Sequence, residues 1–147
     1  MKLVLYLVAA AGIAVAGLLV WVRVAPSDPA RWHVDPVVAP DPATPNWARI
    51  QPGEIVAPEG TLAARLEVAL AREPNMRHLA GSLREGWASY VQRSRWIGYP
   101  DYISLRILPH AAGGETLAVL SRSRFGRSDL GVNTARLARL RTALQGD

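Results

Sequence analysis

The residues best suited to chemistry lie between positions 121 and 133. This thirteen-residue stretch contains three arginines, three serines, one aspartate and two glycines. Arginine presents a planar fork of N–H donors that matches the oxygens of phosphate and carboxylate. Gly126 and Gly131 permit loop conformations that other residues resist, and exposed backbone N–H groups in such a loop attract anions. The stretch therefore predicts an anion-binding loop.

This loop is predicted to work together with residues near position 95. If residues 115–123 form a strand, Ser121 and Ser123 lie on one face and Arg122 and Arg124 on the other. The arginines would supply the fork, the aspartates would orient them, and a helix N-terminus after the loop favours an anion. The predicted ligand is a phosphate, a lipid headgroup or a carboxylate of a membrane protein partner. The predicted binding residues are Arg95, Asp101, Ser121, Arg122, Ser123, Arg124, Arg127, Ser128, Asp129 and Asn133.

A hydrolase-like enzyme is an alternative interpretation of the same residues. An aspartate of this set would be the general base, a serine the nucleophile, and the arginines would stabilise an oxyanion. No histidine lies nearby in the sequence, and the nucleophile motif G-x-S-x-G is absent. We therefore assign no catalytic residue, and the sequence favours a binding protein over an enzyme.

A purely structural interaction domain is the other alternative. Arg127 with Asp129, and Arg95 with Asp101, would then form ion pairs that lock turns, and Asn133 would cap the following helix. Serines in such loops often satisfy backbone groups. This interpretation and the anion-binding one remain open at the level of sequence.

Composition limits the remaining classes of function. The chain has no cysteine, and its three histidines, at 33, 78 and 110, lack metal-ligand spacing, so we predict neither a metal nor another cofactor. The formal net charge is +5. A positive charge suits an anionic membrane surface or ligand. We predict no nucleic-acid binding, because the basic residues do not form a recognisable motif with aromatics.

The N-terminal segment predicts a membrane anchor. Leu3 to Val22 is twenty residues without a charge, which as a helix spans about 30 Å, the thickness of a bilayer core. A cleaved signal peptide with its site at residues 14–16 is the rival interpretation, but the apolar run continues well beyond that site. We predict a single-pass protein of the bacterial inner membrane, with its N-terminus in the cytoplasm and its globular part in the periplasm.

A proline-rich segment follows the predicted anchor. Eight prolines lie between positions 26 and 58, and such a chain is extended and semi-rigid. We expect Trp32 and Trp47 to pack against the globular domain, because exposed tryptophan is costly in water. The predicted units are an anchor over 1–25, a linker over 26–52 and a globular domain over 53–147.

The remaining sequence predicts an α+β domain. We predict a sheet of three to five antiparallel strands with two helices on one face. The strand over 102–108 alternates apolar and polar residues, which is typical of a half-buried strand. Gly81 weakens an earlier strand prediction. The predicted strands are 54–57, 76–83, 87–95, 102–108 and 115–123, and the predicted helices begin at N-caps Thr61 and Asn133 and bury Leu62, Leu66, Ala69, Leu70, Leu137, Leu140 and Leu144.

Two motifs give the chain a family resemblance. They are residues 93–101, RSRWIGYPD, and, about twenty residues later, residues 121–133, SRSRFGRSDLGVN. Together they resemble the bacterial and plastid domain of unknown function family 1499, over roughly His33 to Leu144. The resemblance implies a small α+β domain that is often attached to a membrane segment. It implies no activity, substrate or catalytic residue.

Overall fold

The structure is a computed structural model that describes residues 1–145. Within this range, four helices and six strands follow one another along the chain. The helices are α1 (Lys2–Val24), α2 (Pro29–Trp32), α3 (Leu62–Ala71) and α4 (Val132–Gln145). The strands are β1 (Trp47–Ile50), β2 (Val56–Ala57), β3 (Met76–Ser82), β4 (Trp87–Arg93), β5 (Pro100–Pro109) and β6 (Glu115–Ser123).

All six strands form one antiparallel sheet with the order β1-β6-β5-β4-β3, and β2 also pairs with β6. The α+β class is therefore confirmed, with six strands where three to five were predicted. The additional strand is β1, in which Trp47 pairs with Arg122 and Ile50 with Val119. It lies between two prolines of the proline-rich segment, where a linker and no strand was predicted.

The helices α3 and α4 cover one face of the sheet, which we call the helix face. The predicted apolar stripes of both helices are buried, with Leu62 and Leu66 fully enclosed and Leu137 only 1% exposed. They pack on Ile103 and Leu105 of β5. Each fully buried leucine contributes about 1.5–3 kcal/mol, so burial of these leucines stabilises the packing of α3 and α4 on the sheet.

The opposite face, which we call the linker face, is also covered. Trp32 of α2 stacks on Tyr102 of β5, with ring centroids 3.9 Å apart and planes 7° from parallel. Ser104 Oγ donates a hydrogen bond of 3.3 Å to the Trp32 carbonyl. Tyr102 and Ser104 are therefore buried, and the prediction of a half-buried strand is wrong. The polar side of β5 is occupied because the chain before the sheet folds back over it.

Of the two predicted N-caps, Thr61 is the N-cap residue of α3, although its side chain makes no capping hydrogen bond, whereas the prediction for Asn133 is wrong. The Thr61 hydroxyl donates to the Pro58 carbonyl instead of accepting from α3, whereas the Glu115 carboxylate accepts the Leu62 N–H. Asn133 is the second residue of α4, and the Asp129 carboxylate accepts its backbone N–H at 2.7 Å. In both cases a carboxylate supplies the acceptor, which also suits the positive end of the helix dipole.

Gly81 lies inside β3 and is required there. Its φ is +75°, and a Cβ at this position would lie 2.2 Å from the Trp87 carbonyl oxygen. The register between β3 and β4 shifts between His78 and Ala80, just before this residue. The glycine therefore permits a local irregularity in an otherwise regular hairpin, because it lacks the side chain that would collide.

Helix α1 is exposed along its length as far as Trp21. It is long and apolar enough to cross a membrane, a property that a signal sequence shares. Its last turn packs against the globular part, where Val22 is 3% exposed and Ala25 fully buried. The helix is thus a candidate anchor that joins the domain through direct contacts.

Candidate functional site

A buried polar cluster lies beneath the predicted loop, centred on Arg136 of α4. The Arg136 side chain is 4% exposed. Its Nη2 donates to Asp101 Oδ2 at 2.7 Å, its Nη1 to Ser121 Oγ at 2.8 Å and to Asn133 Oδ1 at 2.6 Å, and its Nε to Gln92 Oε1 at 2.5 Å. Four elements meet at this one side chain, so Arg136 fixes α4 on the sheet.

Asn133 extends the cluster to the loop. Its side-chain amide nitrogen lies 3.0 Å from the Asn46 carbonyl, 3.0 Å from Ser123 Oγ and 2.7 Å from Asp129 Oδ2. The side chain of Asn46 in turn donates to the Gly126 carbonyl at 2.8 Å. These hydrogen bonds fix the inner side of the loop on the sheet and on α4. Every buried side-chain polar atom in the described part of the chain has a hydrogen-bond partner.

Asp129 is the one acidic residue of the loop over 121–133. Burial by itself raises the pKa of this carboxyl. The hydrogen bonds from the Asn133 N–H, the Asn133 side chain and the Gly131 N–H outweigh burial and hold the pKa below its ordinary value. A carboxylate that accepts several N–H donors prefers to stay ionised. Asp129 therefore acts as a charged cap of α4.

The ion pairs predicted for the two aspartates are not formed. Asp101 pairs with Arg136, at 2.7 Å, and not with Arg95. Asp129 binds N–H groups of Gly131 and Asn133. Helix α4 supplies the partners because it folds back over the ends of β5 and β6, a tertiary contact that sequence spacing does not reveal.

Arg122 and Arg124 lie on the linker face, opposite Ser121 and Ser123, as the strand alternation predicts. The Arg122 guanidinium lies 4.8 Å from the centre of the Trp32 ring and donates to the Arg31 carbonyl at 3.4 Å. Burial, and then the charge of Arg31, lower its pKa. Arg124 donates to the Pro26 carbonyl at 2.7 Å. Both arginines thus hold the segment that follows α1.

The two predicted motifs meet at one end of the sheet. The Arg124 N–H donates to the Pro100 carbonyl at 3.1 Å, and the rings of Tyr99 and Phe125 are 6.1 Å apart. Arg127 and Ser128 lie on the exposed part of this loop. Ser128 Oγ accepts the Leu130 N–H at 3.2 Å. The loop over 121–133 is therefore a neighbour of the turn that contains Arg95.

That turn, residues 94–99, borders a cavity of about 340 Å³ that we call the arginine pocket. Four arginines from α1, β3, β4 and the turn converge on it. The rest of its lining, within the described residues, is neutral. The lining residues are Arg23, Arg77, Arg93 and Arg95, with Asn75, Ser94 and Gly98.

The predicted site is thus divided by the structure. The buried cluster contains Asp101, Ser121, Ser123, Asp129 and Asn133. Arg122 and Arg124 lie on the linker face and bond the segment that follows α1, and Arg95 borders the arginine pocket. The arginines at 23, 77, 93 and 136 were missed. Arg93 carries a signal, because it is the first residue of the first family motif. Arg136 is not one of the leucines that form the predicted apolar stripe of α4, so the helical pattern does not indicate its burial.

The serines of the loop are engaged by groups other than carboxylates. Ser121, which is fully buried, bonds Asn133 and Arg136, and Ser123 bonds Asn133. Ser128 accepts a backbone N–H. A nucleophilic serine needs a base within hydrogen-bonding distance. The contacts of these three serines instead hold the loop and α4 in place.

Comparison with known proteins gives a family and no function. No curated protein and no solved structure matches the chain. The model of one family, described as a protein of unknown function (DUF1499), matches residues 36–144, about three quarters of the chain. The match covers the sheet, the buried polar cluster and the turn at 94–99. The chain therefore belongs to the DUF1499 family of proteins of unknown function.

Proposed function

We propose that this protein is a membrane-anchored binding module that holds a phosphate-type anion in the arginine pocket. The single observation that carries the proposal is the convergence of Arg23, Arg77, Arg93 and Arg95 on one cavity with an otherwise neutral lining. Four positive charges in one place repel one another unless an anion or solvent compensates them. Guanidinium groups match the oxygens of phosphate with paired N–H donors.

Within residues 1–145, the contacts of Arg23, Arg93 and Arg95 are with neutral groups. Arg93 donates to the carbonyls of Val22 at 3.2 Å, Gly98 at 3.0 Å and Ala25 at 3.0 Å. Arg23 donates to the Trp96 carbonyl at 3.2 Å, and Arg95 lies 5.1 Å from the centre of the Trp96 ring. Carbonyls and rings are neutral, so the pocket keeps a positive potential.

The loop over 121–133 supports this site in the proposal. Its interior residues form hydrogen bonds with α4 and with the start of β5. Arg124 bonds the segment that follows α1, and Phe125 contacts the ring of Tyr99 in the turn that borders the pocket. Arg127 adds a positive charge on the exposed side of the same loop. The loop therefore fixes the shape of the end of the sheet at which the anion is bound.

The contacts of α1 support retention of the anchor. The carbonyls of Val22 and Ala25 accept hydrogen bonds from Arg93, which satisfies groups that a helix C-terminus leaves without partners. Cleavage at residues 14–16 would leave an apolar stub over 17–24 on the domain. We therefore extend the proposal to a single-pass inner-membrane protein whose globular part lies in the periplasm.

Thermal unfolding of the full chain in neutral detergent tests the pocket. We expect inorganic phosphate and glycerol 3-phosphate to raise the melting temperature, since a ligand at a hundred times its dissociation constant adds about 2.7 kcal/mol. Arg95→Gln should weaken phosphate binding about tenfold, as expected for the loss of one charge-assisted contact.

Arg84→Gln is the matched control, because Arg84 is exposed at the opposite end of β4 and its loss changes the net charge equally. It should bind phosphate like the wild type. A melting temperature that no phosphate compound raises, or an equal loss of binding in both variants, would exclude a specific site.

A further inference from the structure

The turn over 94–99 lies where α1 ends. Arg93 donates to the carbonyls of Val22, in the last turn of α1, and of Ala25, its C-cap, and Arg23 donates to the Trp96 carbonyl. A Cβ on Gly98 would lie 3.0 Å from Arg23 Cγ, so the turn packs directly on the helix. The apolar run of α1 ends at Val22, and Arg23 is the first charge after it. If α1 spans a membrane, this turn is at the depth of the membrane–water interface.

The turn exposes apolar side chains at this depth. Trp96 is 81% exposed, and Ile97 and Tyr99 are each 40% exposed. Trp32, in contrast, is only 7% exposed. Tryptophan and tyrosine are enriched at membrane interfaces because their rings have an apolar body and a polar end. The exposure is therefore favourable in a bilayer interface and unfavourable in water.

The turn itself has a defined shape. Ser94 Oγ accepts the N–H groups of Gly98 and Tyr99, both at 3.0 Å, and the Ser94 carbonyl accepts the Gly98 N–H at 3.0 Å. The aromatic side chains therefore project from a fixed frame that also places Arg95 at the arginine pocket. Apolar contact and positive charge lie side by side on the surface next to α1.

From this combination we infer that the anion in the arginine pocket is the headgroup phosphate of an anionic membrane phospholipid, with the turn over 94–99 seated in the interface beside α1. The inference rests on the proposed function, since it names the source of the anion bound there. A soluble anion would need the arginines alone. A lipid also uses the exposed aromatic residues and the neighbouring helix end.

The chain has no cysteine, so a single nitroxide label can report on one position. We would label Ile97→Cys, and Glu85→Cys as a control, in the full chain reconstituted in lipid nanodiscs. Glu85 is exposed in the turn at the other end of β4, whose seven residues span about 20 Å. The nanodiscs contain either phosphatidylcholine alone or its mixture with phosphatidylglycerol.

The label at 97 should be accessible to lipid-soluble oxygen and protected from a water-soluble nickel complex, and phosphatidylglycerol should strengthen both effects. The label at 85 should remain accessible to nickel in both lipids. Arg77→Gln or Arg95→Gln should abolish the effect of phosphatidylglycerol at 97, whereas Arg84→Gln should preserve it. Unchanged melting temperatures would show that the variants are folded.

Two outcomes would overturn the inference. The label at 97 could be as accessible to nickel as the label at 85, so that the turn lies in water. It could also be equally lipid-exposed with and without phosphatidylglycerol, so that the headgroup charge contributes nothing. If inorganic phosphate still raises the melting temperature through Arg95, the proposed anion site stands and its ligand is a soluble phosphate. If phosphate has no effect, the proposed site itself is excluded.

Discussion

A single buried arginine connects the loop, the sheet and the last helix. Arg136 reaches Asp101, Ser121, Asn133 and Gln92, and its charge is compensated by the Asp101 carboxylate at 2.7 Å. Burying a charged pair is costly, and the pair stabilises a fold only when its remaining donors and acceptors are also bonded. That condition is met here, so the cluster specifies one position of α4 on the sheet.

Replacing this arginine should destabilise the protein severely. Arg136→Met leaves the Asp101 carboxylate buried without its partner, at a cost of about 3–5 kcal/mol. Urea unfolding of the full chain in neutral detergent measures this loss. Arg84→Met, which removes an exposed arginine with a 3.8 Å contact to Glu67, should cost about 0–1 kcal/mol. Equal costs for the two variants would contradict a stabilising role for the buried cluster.

Asp129 predicts a loss of stability in acid. Its pKa in the folded protein lies below its ordinary value of 3.8, so the ionised form is favoured by folding. The resulting stabilisation is present above pH 3.8 and is lost as the pH falls towards the lowered pKa. Glu73, whose pKa Arg139 lowers from 4.5, contributes in the same direction.

Asp129→Asn should therefore be less stable at pH 7 and lose less stability on acidification. Urea midpoints at pH 7, 5, 4 and 3 measure the slope. The variant keeps the contribution of Glu73, so its curve should be flatter than that of the wild type but not level. Parallel curves for the two proteins would show that the Asp129 hydrogen bonds do not favour its charged form.

At the scale of elements, the segment between α1 and β1 forms a second layer on the sheet. Trp32 stacks on Tyr102, and the Asp35 carboxylate pairs with Arg106 at 2.7 Å. The Trp87 indole donates to the Val34 carbonyl at 3.3 Å. A proline-rich chain has few backbone donors for a sheet, so side chains and carbonyls provide these contacts. The sheet is therefore enclosed on both faces.

Trp32 should carry much of the stability of this layer. Trp32→Ala removes a stacked ring that is 7% exposed and should cost about 3–5 kcal/mol, as expected for a large buried side chain. The same change at Trp96, which is 81% exposed, should cost less than about 0.5 kcal/mol in detergent. Thermal unfolding compares the two. A small effect of Trp32→Ala would mean that the layer is not needed for folding.

At the scale of the whole molecule, the features divide between two ends of the sheet. The end formed by the turn over 94–99 and the loop over 121–133 carries the arginine pocket, the exposed aromatic residues and the contact with α1. The other end carries Glu85 and the pair of Arg106 with Asp35. If α1 crosses the bilayer, the first end faces the membrane surface. The phosphate and spin-label measurements test this arrangement separately.

The sequence by itself determined the class of the fold and the apolar stripes of α3 and α4. Period-2 and helical patterns are local properties, and burial of the leucines in α3 and α4 follows from them directly. The two family motifs were also visible, because they are contiguous stretches. The packing of Trp32 against the domain was also predictable, because exposing a large aromatic ring to water is unfavourable.

Only the tertiary structure decided which charged groups meet. Arg136 looks like a solvated helix residue until α4 is placed on β5 and β6, where it reaches an aspartate 35 positions earlier in the chain. Arg23, Arg77 and Arg93 lie on three different elements, and no spacing in the sequence brings them together. Local periodicity reports which face a residue occupies, whereas the partner of a charge depends on contacts between distant segments. The α+β class and the helix layer were therefore predictable from the sequence, whereas strand β1, the layer on the linker face and the arginine pocket were not.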